Sequence, residues 1–174
     1  EMCIRDSRKE AKTMSEIIKV GMADLNVCKS PDGITTLGLG SCVGVAIRDP
    51  ITKVGGLAHV MLPDSTQIEN NSNRYKFADT GIEDLVKKII ALGGNKSRLE
   101  AKIAGGAQMF AFQNKSDMVR VGERNVEASK KKLKQLGIPL KAEDTGLNYG
   151  RTVIFYPETG KFIIRSAGKP EKTI

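Results

Sequence analysis

A cysteine and a histidine, residue types that cooperate in nucleophilic catalysis, lie close together in the N-terminal half of the chain. Cys42 ends the glycine-rich segment Leu37-Gly38-Leu39-Gly40-Ser41-Cys42, and His59, the only histidine in the protein, follows Gly55-Gly56-Leu57-Ala58. A thiol attacks as its thiolate, and a neighbouring imidazole commonly generates that thiolate near neutral pH. The pair therefore indicates a candidate nucleophile and its base.

The residues between the pair predict that the two side chains meet. Apolar runs rich in β-branched residues, Cys42–Arg48 and Val54–Leu62, flank an Asp-Pro turn signal. An antiparallel hairpin with residues 49–52 as its loop places Cys42 opposite His59. Directly opposed residues have Cβ atoms about 4.5–5.5 Å apart, so this register predicts a thiol–imidazole contact. A slip of one residue would put the two side chains on opposite faces.

Each residue also has a simpler structural explanation. Free cysteines are among the most often buried residues, and a single histidine on an apolar strand is commonly a hydrogen-bonded core residue. The combination favours function, because Cys42 ends a Gly-x-Gly-Ser loop whose backbone amides are free to face a substrate oxyanion. It also faces the one available imidazole.

Two residues compete as the group that orients His59. The Thr36 hydroxyl, just before the glycine loop, could hydrogen-bond the second imidazole nitrogen, although an ordinary strand threonine is the simpler explanation. Asp64 follows His59 closely but is more typical of a residue that begins a loop. Gly38-Leu39-Gly40 is a weak match to a dinucleotide-binding loop, since a strand rather than a helix follows it. The turns at Gly105-Gly106 and Asp144-Thr145-Gly146 would let the backbone approach a ligand but indicate no particular chemistry.

Length and composition indicate one domain of 174 residues. We expect residues 1–13 to be a disordered or non-native tail, residues 14–168 the folded domain and residues 169–174 a C-terminal tail. No apolar run approaches the length of a membrane span, and no signal-peptide pattern is present. Three cysteines, one of them in the tail, make neither a disulfide framework nor a zinc site. The sequence therefore predicts a cytoplasmic protein without a zinc site or membrane insertion.

The net charge of +8 comes largely from one predicted helix. The default explanation is a solvated helix face, and the functional alternative is docking on an acidic protein partner. We expect no nucleic-acid binding, because aromatic residues make up only 5% of the chain and a base-stacking platform is poorly supplied. The basic side chains are Arg124, Lys130, Lys131, Lys132 and Lys134.

Hydrophobic periodicity and turn signals predict a mixture of strands and helices. A helix is expected around Ile82–Ile90, ending at Gly93-Gly94, and a second over Asn125–Leu136, capped by Gly137. Strands are expected over 17–22, 34–37, 42–48, 54–62, 99–104, 138–143, 151–156 and 161–166. Residues 63–73 are polar and predict an exposed loop.

The chain resembles the CheD family, the chemoreceptor glutamine deamidases of bacterial and archaeal chemotaxis, over roughly residues 17–166. The family's signature is carried by Thr36-Leu37-Gly38-Leu39-Gly40-Ser41-Cys42 and Ala58-His59-Val60-Met61-Leu62-Pro63-Asp64-Ser65. The similarity continues through Tyr75-Lys76-Phe77-Ala78-Asp79-Thr80, Ala101-Lys102-Ile103-Ala104-Gly105-Gly106-Ala107, Gly122-Glu123-Arg124-Asn125-Val126 and Ala142-Glu143-Asp144-Thr145-Gly146. The tail and residues 70–73 fall outside it.

The resemblance implies an α+β fold, an α/β sandwich of mixed β-sheets with flanking helices in a single domain. It implies that Cys42 is the nucleophile, His59 the general base and acid, and Thr36 the residue that orients His59. The backbone amides of Ser41 and Cys42 are candidates for the oxyanion site. The expected substrates are glutamines in the cytoplasmic domains of chemoreceptors, and no cofactor is required. The alternative is a non-catalytic module that regulates a CheC-type chemotaxis phosphatase.

Overall fold

The structure, a computed structural model, describes residues 15–67, 73–108 and 121–174. In these ranges the chain forms ten strands, two helices and three single-turn 3-10 segments. The helices are α1 (Ala78–Leu92) and α2 (Val121–Gln135). The strands are β1 (Ile17–Val20), β2 (Leu25–Lys29), β3 (Gly33–Leu39), β4 (Val43–Asp49), β5 (Val54–Val60), β6 (Glu100–Gly105), β7 (Leu140–Thr145), β8 (Arg151–Tyr156), β9 (Lys161–Arg165) and β10 (Lys172–Thr173).

The strands form two five-stranded mixed sheets that pack face to face. The first sheet has the order β1-β3-β8-β9-β10 and the second the order β2-β5-β4-β6-β7. Pairs β1/β3 and β6/β7 are parallel and the other pairs are antiparallel. One apolar core fills the space between the sheets, and a second lies between the second sheet and both helices. The layers are therefore sheet, sheet and helices, which confirms the expected single-domain α+β sandwich.

Strand β5 is buried along its whole length because it is covered on both faces. Its neighbours in the second sheet are β2 and β4. Residues such as Leu57 point into the core between the sheets, and Val60 points toward the helices. Any polar side chain on the inner face of β5 therefore lies between the two sheets.

The β4–β5 hairpin forms, but its loop differs from the predicted one. Pairing begins at Asp49 with Val54, so the loop comprises residues 50–53 and not residues 49–52. The reason lies in the Asp49 carboxylate, which accepts the backbone amides of Ile51 and Thr52 at 2.8 and 3.3 Å and so starts the turn one residue later.

This later turn shifts the hairpin register by two residues. Gly44, and not Cys42, lies opposite His59, so the predicted direct opposition of the thiol and the imidazole is wrong. A shift of two residues keeps the alternation of faces. Cys42 packs in the core between the sheets, together with Ala46 and Leu57. The two side chains therefore share a face, in a diagonal arrangement.

Both helices begin earlier than their apolar periodicity alone suggests, and both end at a glycine. Gly93 (φ 124°) and Gly137 (φ 72°) take backbone conformations that L side chains rarely adopt. α1 buries Ile82, Leu85 and Ile89 against the second sheet, as its spacing predicts.

Two strands were not predicted. β2 is short, and only Leu25 and Cys28 of its five residues are buried, so it lacks a long apolar run. The stretch expected to be a C-terminal tail contributes β10, which pairs with the edge of β9. The expected N-terminal tail (residues 1–13) lies outside the described residues, as do residues 68–72 of the polar loop. Neither α1 nor α2, nor any other helix in the described ranges, is long and apolar enough to cross a membrane.

Candidate active site

A short loop carries the chain from the first sheet to the second and presents the candidate nucleophile. β3 pairs with β8 as far as Thr36, and pairing resumes at Leu39 with one extra residue on β3, which is a β-bulge. Gly38 lies in this bulge with φ 69°, a conformation that favours glycine. Leu37 and Gly38 are exposed, whereas Leu39 is completely buried and anchors the loop.

The loop's carbonyl groups are all held by the protein. The carbonyl oxygens of residues 40, 41 and 42 accept, in that order, the Ala107 amide at 2.8 Å, the Asn125 side-chain amide at 2.9 Å and the Gly106 amide at 2.8 Å. Within the described ranges, the backbone amides of residues 41 and 42 donate to no oxygen. Unpaired amides beside a nucleophile can stabilise an oxyanion.

His59 lies on β5, fully buried between the sheets. Its Nδ1 atom is 2.7 Å from the Thr36 Oγ1, so the predicted Thr36–His59 hydrogen bond is present. The single hydroxyl hydrogen of Thr36 is donated to the Val20 carbonyl at 2.8 Å. Thr36 must therefore accept from Nδ1–H, and this assigns the basic lone pair of neutral His59 to Nε2. Nε2 is buried and has no hydrogen-bond partner among the described residues.

Burial favours the neutral form of both the Cys42 thiol and the His59 imidazole. Burial raises the pKa of the Cys42 thiol, partly offset by its own backbone amide, and burial lowers the pKa of His59. The Cys42 side chain is 7% exposed and is not hydrogen-bonded to His59 Nε2. Catalytic hydrogen bonds are often long or unformed before substrate binds.

The rival orienting group does not reach His59. The Asp64 Oδ1 accepts the Thr66 amide and hydroxyl, both at 2.8 Å, and so begins the following turn. Gly38-Leu39-Gly40 connects two strands, which excludes the dinucleotide-loop geometry that needs a helix.

The turn at Asp144 is structural. The Asp144 carboxylate pairs with buried Arg151 at 3.0 Å and with Lys172 at 2.9 Å. The carboxylate thus ties β7 to β8 and β10. Among residues 15–67, 73–108 and 121–174, no group of three or more His, Cys, Asp or Glu side chains is arranged to hold a metal ion.

The basic face of α2 is partly neutralised by neighbouring carboxylates. Lys130 pairs with Glu143 at 2.8 Å, and Lys132 approaches Glu83 at 3.4 Å. These ion pairs lie on a helix face that the sequence predicts to be solvated, and they account for part of its charge.

Asn125 was not singled out from the sequence, although it lies in the segment Gly122-Glu123-Arg124-Asn125-Val126 that carries part of the family resemblance. It is fully buried on α2 and bonds the loop carbonyl that precedes Cys42. The sequence signal that could have identified Asn125 is a polar residue on the face of a basic helix that is directed toward the protein interior.

Comparison with known proteins places this chain in a family. Residues 61–166 match the family described as CheD chemotactic sensory transduction. The chain is also 65% identical over 161 residues to a protein of Lachnoclostridium phytofermentans named "Probable chemoreceptor glutamine deamidase CheD", covering 92% of this chain and 100% of that protein. The chain belongs to the CheD family.

Other CheD relatives are similar over comparable lengths. A protein of Caldanaerobacter subterraneus with the same name is 56% identical, covering 92% of this chain and 99% of the relative. The chemoreceptor glutamine deamidase CheD of Halalkalibacterium halodurans is 52% identical, covering 92% and 100%. The Bacillus licheniformis hypothetical protein YfiH matches 78% of this CheD chain and 61% of its own chain at 16% identity and a TM-score of 0.48.

Proposed function

We propose that this CheD-family chain is a chemoreceptor glutamine deamidase that converts protein glutamine side chains to glutamate and ammonia through a thioester on Cys42. The observation that carries the proposal is the buried hydrogen bond between Thr36 and His59. It leaves Nε2, which has no hydrogen-bond partner among the described residues, as the base on the face that Cys42 shares. The names of the relatives support the same activity.

The first half of the reaction forms the thioester. As the substrate carboxamide arrives, His59 Nε2 takes the Cys42 proton and the sulfur attacks the amide carbon. Negative charge develops on the amide oxygen, and the backbone amides of Ser41 and Cys42 donate to it. Loss of one such donor typically lowers the rate by about 10²–10³-fold. His59 then gives its proton to the nitrogen, the C–N bond breaks and ammonia leaves.

The second half releases the product. Water attacks the thioester carbon while His59 Nε2 takes a proton from it. The C–S bond breaks, the sulfur recovers a proton from His59, and glutamate is released. Thr36 keeps Nδ1 protonated through both halves, so Nε2 is the nitrogen that exchanges protons each time.

The proposed substrates are glutamines in the cytoplasmic domains of chemoreceptors, which places the reaction in the cytoplasm. The exposed Leu37 and Gly38 flank the loop where a receptor segment would approach Cys42. Binding to a CheC-type phosphatase stays an expectation of the family resemblance.

The test is to incubate purified protein with chemoreceptor cytoplasmic fragments and to detect Gln-to-Glu conversion by peptide mass spectrometry. We expect conversion by the unmodified chain and none by the Cys42→Ala variant. Cys28→Ala is the matched control, because Cys28 is also buried but its thiol donates to the Asp32 carbonyl at 3.7 Å, away from the loop. It should retain activity.

Two outcomes would overturn the proposal. One is the absence of conversion by the unmodified chain with every receptor fragment tried, and the other is equal conversion by Cys42→Ala. The non-catalytic alternative predicts phosphatase capture that survives Cys42→Ala together with no conversion by any form of the chain.

A further inference from the structure

Asn125 touches both halves of the candidate active site. Its Nδ2 atom donates to the Ser41 carbonyl and to the Met61 carbonyl, each at 2.9 Å. Ser41 directly precedes Cys42, and Met61 lies two residues after His59. One buried side chain of α2 thus joins the segment of the proposed nucleophile to the segment of the proposed base.

The cross-link occurs where the backbone ladder between β4 and β5 stops. The last backbone pair joins Val43 to Val60. Beyond it the chains diverge, and the Met61 amide donates instead to the Lys76 carbonyl at 2.8 Å. A primary amide nitrogen carries two hydrogens, one for each carbonyl oxygen, and the carbonyls can only accept, so the orientation of the Asn125 amide is fixed by its partners.

Asn125 satisfies two backbone carbonyls but leaves one of its own polar atoms unsatisfied. Its Oδ1 atom is buried and has no hydrogen-bond partner in the described part of the chain. An unsatisfied buried acceptor is destabilising, but an apolar residue of similar size would leave the Ser41 and Met61 carbonyls without the donor that Asn125 supplies. The two donors are therefore what distinguish this side chain, and the test has to separate their effect on stability from their effect on the position of the loop.

We infer that Asn125 is a positioning residue that holds the Ser41–Cys42 segment against the end of β5, so that the Cys42 sulfur meets the free nitrogen of His59. Within the described ranges, it is the one side chain that hydrogen-bonds residues 40–42, whose other carbonyls are held by the Gly106 and Ala107 backbone. The inference rests on the proposed deamidase activity for its kinetic readout only.

The test compares Asn125→Ala with Ser129→Ala. Ser129 lies one turn further along α2 and is also fully buried, but its hydroxyl donates to the Asn125 carbonyl at 2.7 Å within the helix. Each variant removes one buried polar side chain from the same helix. Only Asn125→Ala removes a bond to the nucleophile loop.

Two measurements separate positioning from stability. At a temperature well below both melting transitions, Asn125→Ala should lower kcat by about 10²-fold with little change in KM, because small misplacement of reacting groups is costly. Native-state hydrogen exchange of the Gly106 and Ala107 amides, which donate to the loop, should accelerate by about tenfold or more. Ser129→Ala should change neither quantity.

If Asn125→Ala does not fold, Asn125→Ser serves in its place, since one short hydroxyl cannot serve both carbonyls and tends to bond its own helix. The inference is overturned if kcat stays within about twofold of the unmodified chain, or if both variants change kcat and exchange equally. If the unmodified chain deamidates nothing, the proposed function fails, yet the exchange comparison still decides whether Asn125 holds the loop.

Discussion

The Thr36 hydroxyl accepts the Nδ1 proton of His59 because its own hydrogen is already donated. The Thr36 Oγ1 lies 2.7 Å from His59 Nδ1 and 2.8 Å from the Val20 carbonyl oxygen. A hydroxyl has one hydrogen, and a carbonyl can only accept it. The parallel pairing of β1 with β3 brings the Val20 carbonyl to Thr36. This pairing therefore determines that Nε2 is the basic nitrogen of His59, which lies in the other sheet.

Thr36→Val should remove this tautomer control while keeping the side chain's shape. Nδ1–H would then have no acceptor, and neutral His59 would shift toward the Nε2–H form, which cannot take the Cys42 proton. We expect kcat for glutamine deamidation to fall by about 10²-fold or more, since a wrong tautomer in a related arrangement costs about 10⁴-fold. Nitrogen chemical shifts of the imidazole check the tautomer directly.

Two variants control this prediction. Thr36→Ser keeps the hydroxyl and should retain most of the activity. Thr35→Val removes the neighbouring buried hydroxyl, which donates to the Val153 carbonyl at 2.7 Å, at a comparable cost in stability. Equal losses of kcat in Thr35→Val and Thr36→Val would show that only folding stability was affected.

The pH dependence of deamidation should reflect a buried, neutral His59. Its pKa is lowered by burial, so the imidazole stays unprotonated to a lower pH than an exposed histidine. Activity should therefore be lost as the pH falls through a value below about 6.5, the ordinary pKa of histidine. The measurement is kcat/KM against pH, and an acid limb centred above that value would contradict the assignment.

Cys42 should react slowly with alkylating reagents near neutral pH in the absence of substrate. Burial raises its thiol pKa, so the thiolate fraction should continue to grow above about pH 8.5, the ordinary value for cysteine. The rate of iodoacetamide labelling, followed on the Cys42 peptide by mass spectrometry, reports this fraction. A rate that is already constant by neutral pH would instead indicate a preformed thiolate–imidazolium pair.

Many strands and helices were predictable because their sequences carry strong local signals, such as apolar periodicity and turn residues. The hairpin of β8 and β9 follows from two apolar runs around the turn at residues 157–160, and α1 follows from its apolar spacing. The strand order was not predictable from these signals, because β1/β3 and β6/β7 pair across long stretches of chain. β10 pairs through only two residues and has no pattern to detect.

The candidate site was also predictable only where local sequence signals suffice. Cys42 and His59 are conspicuous as residue types. The predicted register is wrong by two residues, but the prediction that both side chains lie on the same face holds because side chains alternate with a period of two. Thr36 could not be chosen over Asp64 from strand patterns, since the choice depends on the packing of one sheet on the other. The contacts of Asn125 depend on where α2 packs against the sheet, and hydrophobic periodicity does not reveal that position.

Gly105→Ala should destabilise the protein and displace the loop that carries Cys42. Gly105 has φ 110°, and a Cβ there would overlap the Cys42 carbonyl oxygen. We expect a loss of about 3 kcal/mol or more in the free energy of unfolding from strain and overpacking together, with reduced kcat in the folded protein. Urea unfolding and deamidation assays measure the two effects.

Gly146→Ala is the matched control for backbone strain. Gly146 also has a positive φ, 78°, but a Cβ there would have no heavy atom within 4 Å. It should lose only about 1–2 kcal/mol, the cost of a left-handed backbone for an L residue, and keep its kcat. Similar losses of stability and activity in both variants would show that the clash with Cys42 is unimportant.

Cys28 should make the protein less stable in alkali. Burial, with the Asp32 charge, raises the pKa of its thiol to about 12. In the unfolded chain the thiol loses its proton near pH 8.5, so above that pH the native state binds more protons than the unfolded state. Its contribution to the free energy of unfolding is therefore complete below about pH 8.5 and falls by about 1.4 kcal/mol for each further pH unit.

Cys28→Ala removes this dependence. Its free energy of unfolding should be lower than that of the unmodified chain at neutral pH, because the smaller side chain leaves a cavity. By pH 9.5 the difference should have moved in favour of the variant by about 1.4 kcal/mol, the thiol's share of the linkage over that interval. Urea unfolding in a reducing buffer at several pH values measures the difference. A constant difference across the range would mean that the Cys28 thiol titrates alike in the folded and unfolded chains, and so is not shielded from solvent as its position beneath the first sheet requires.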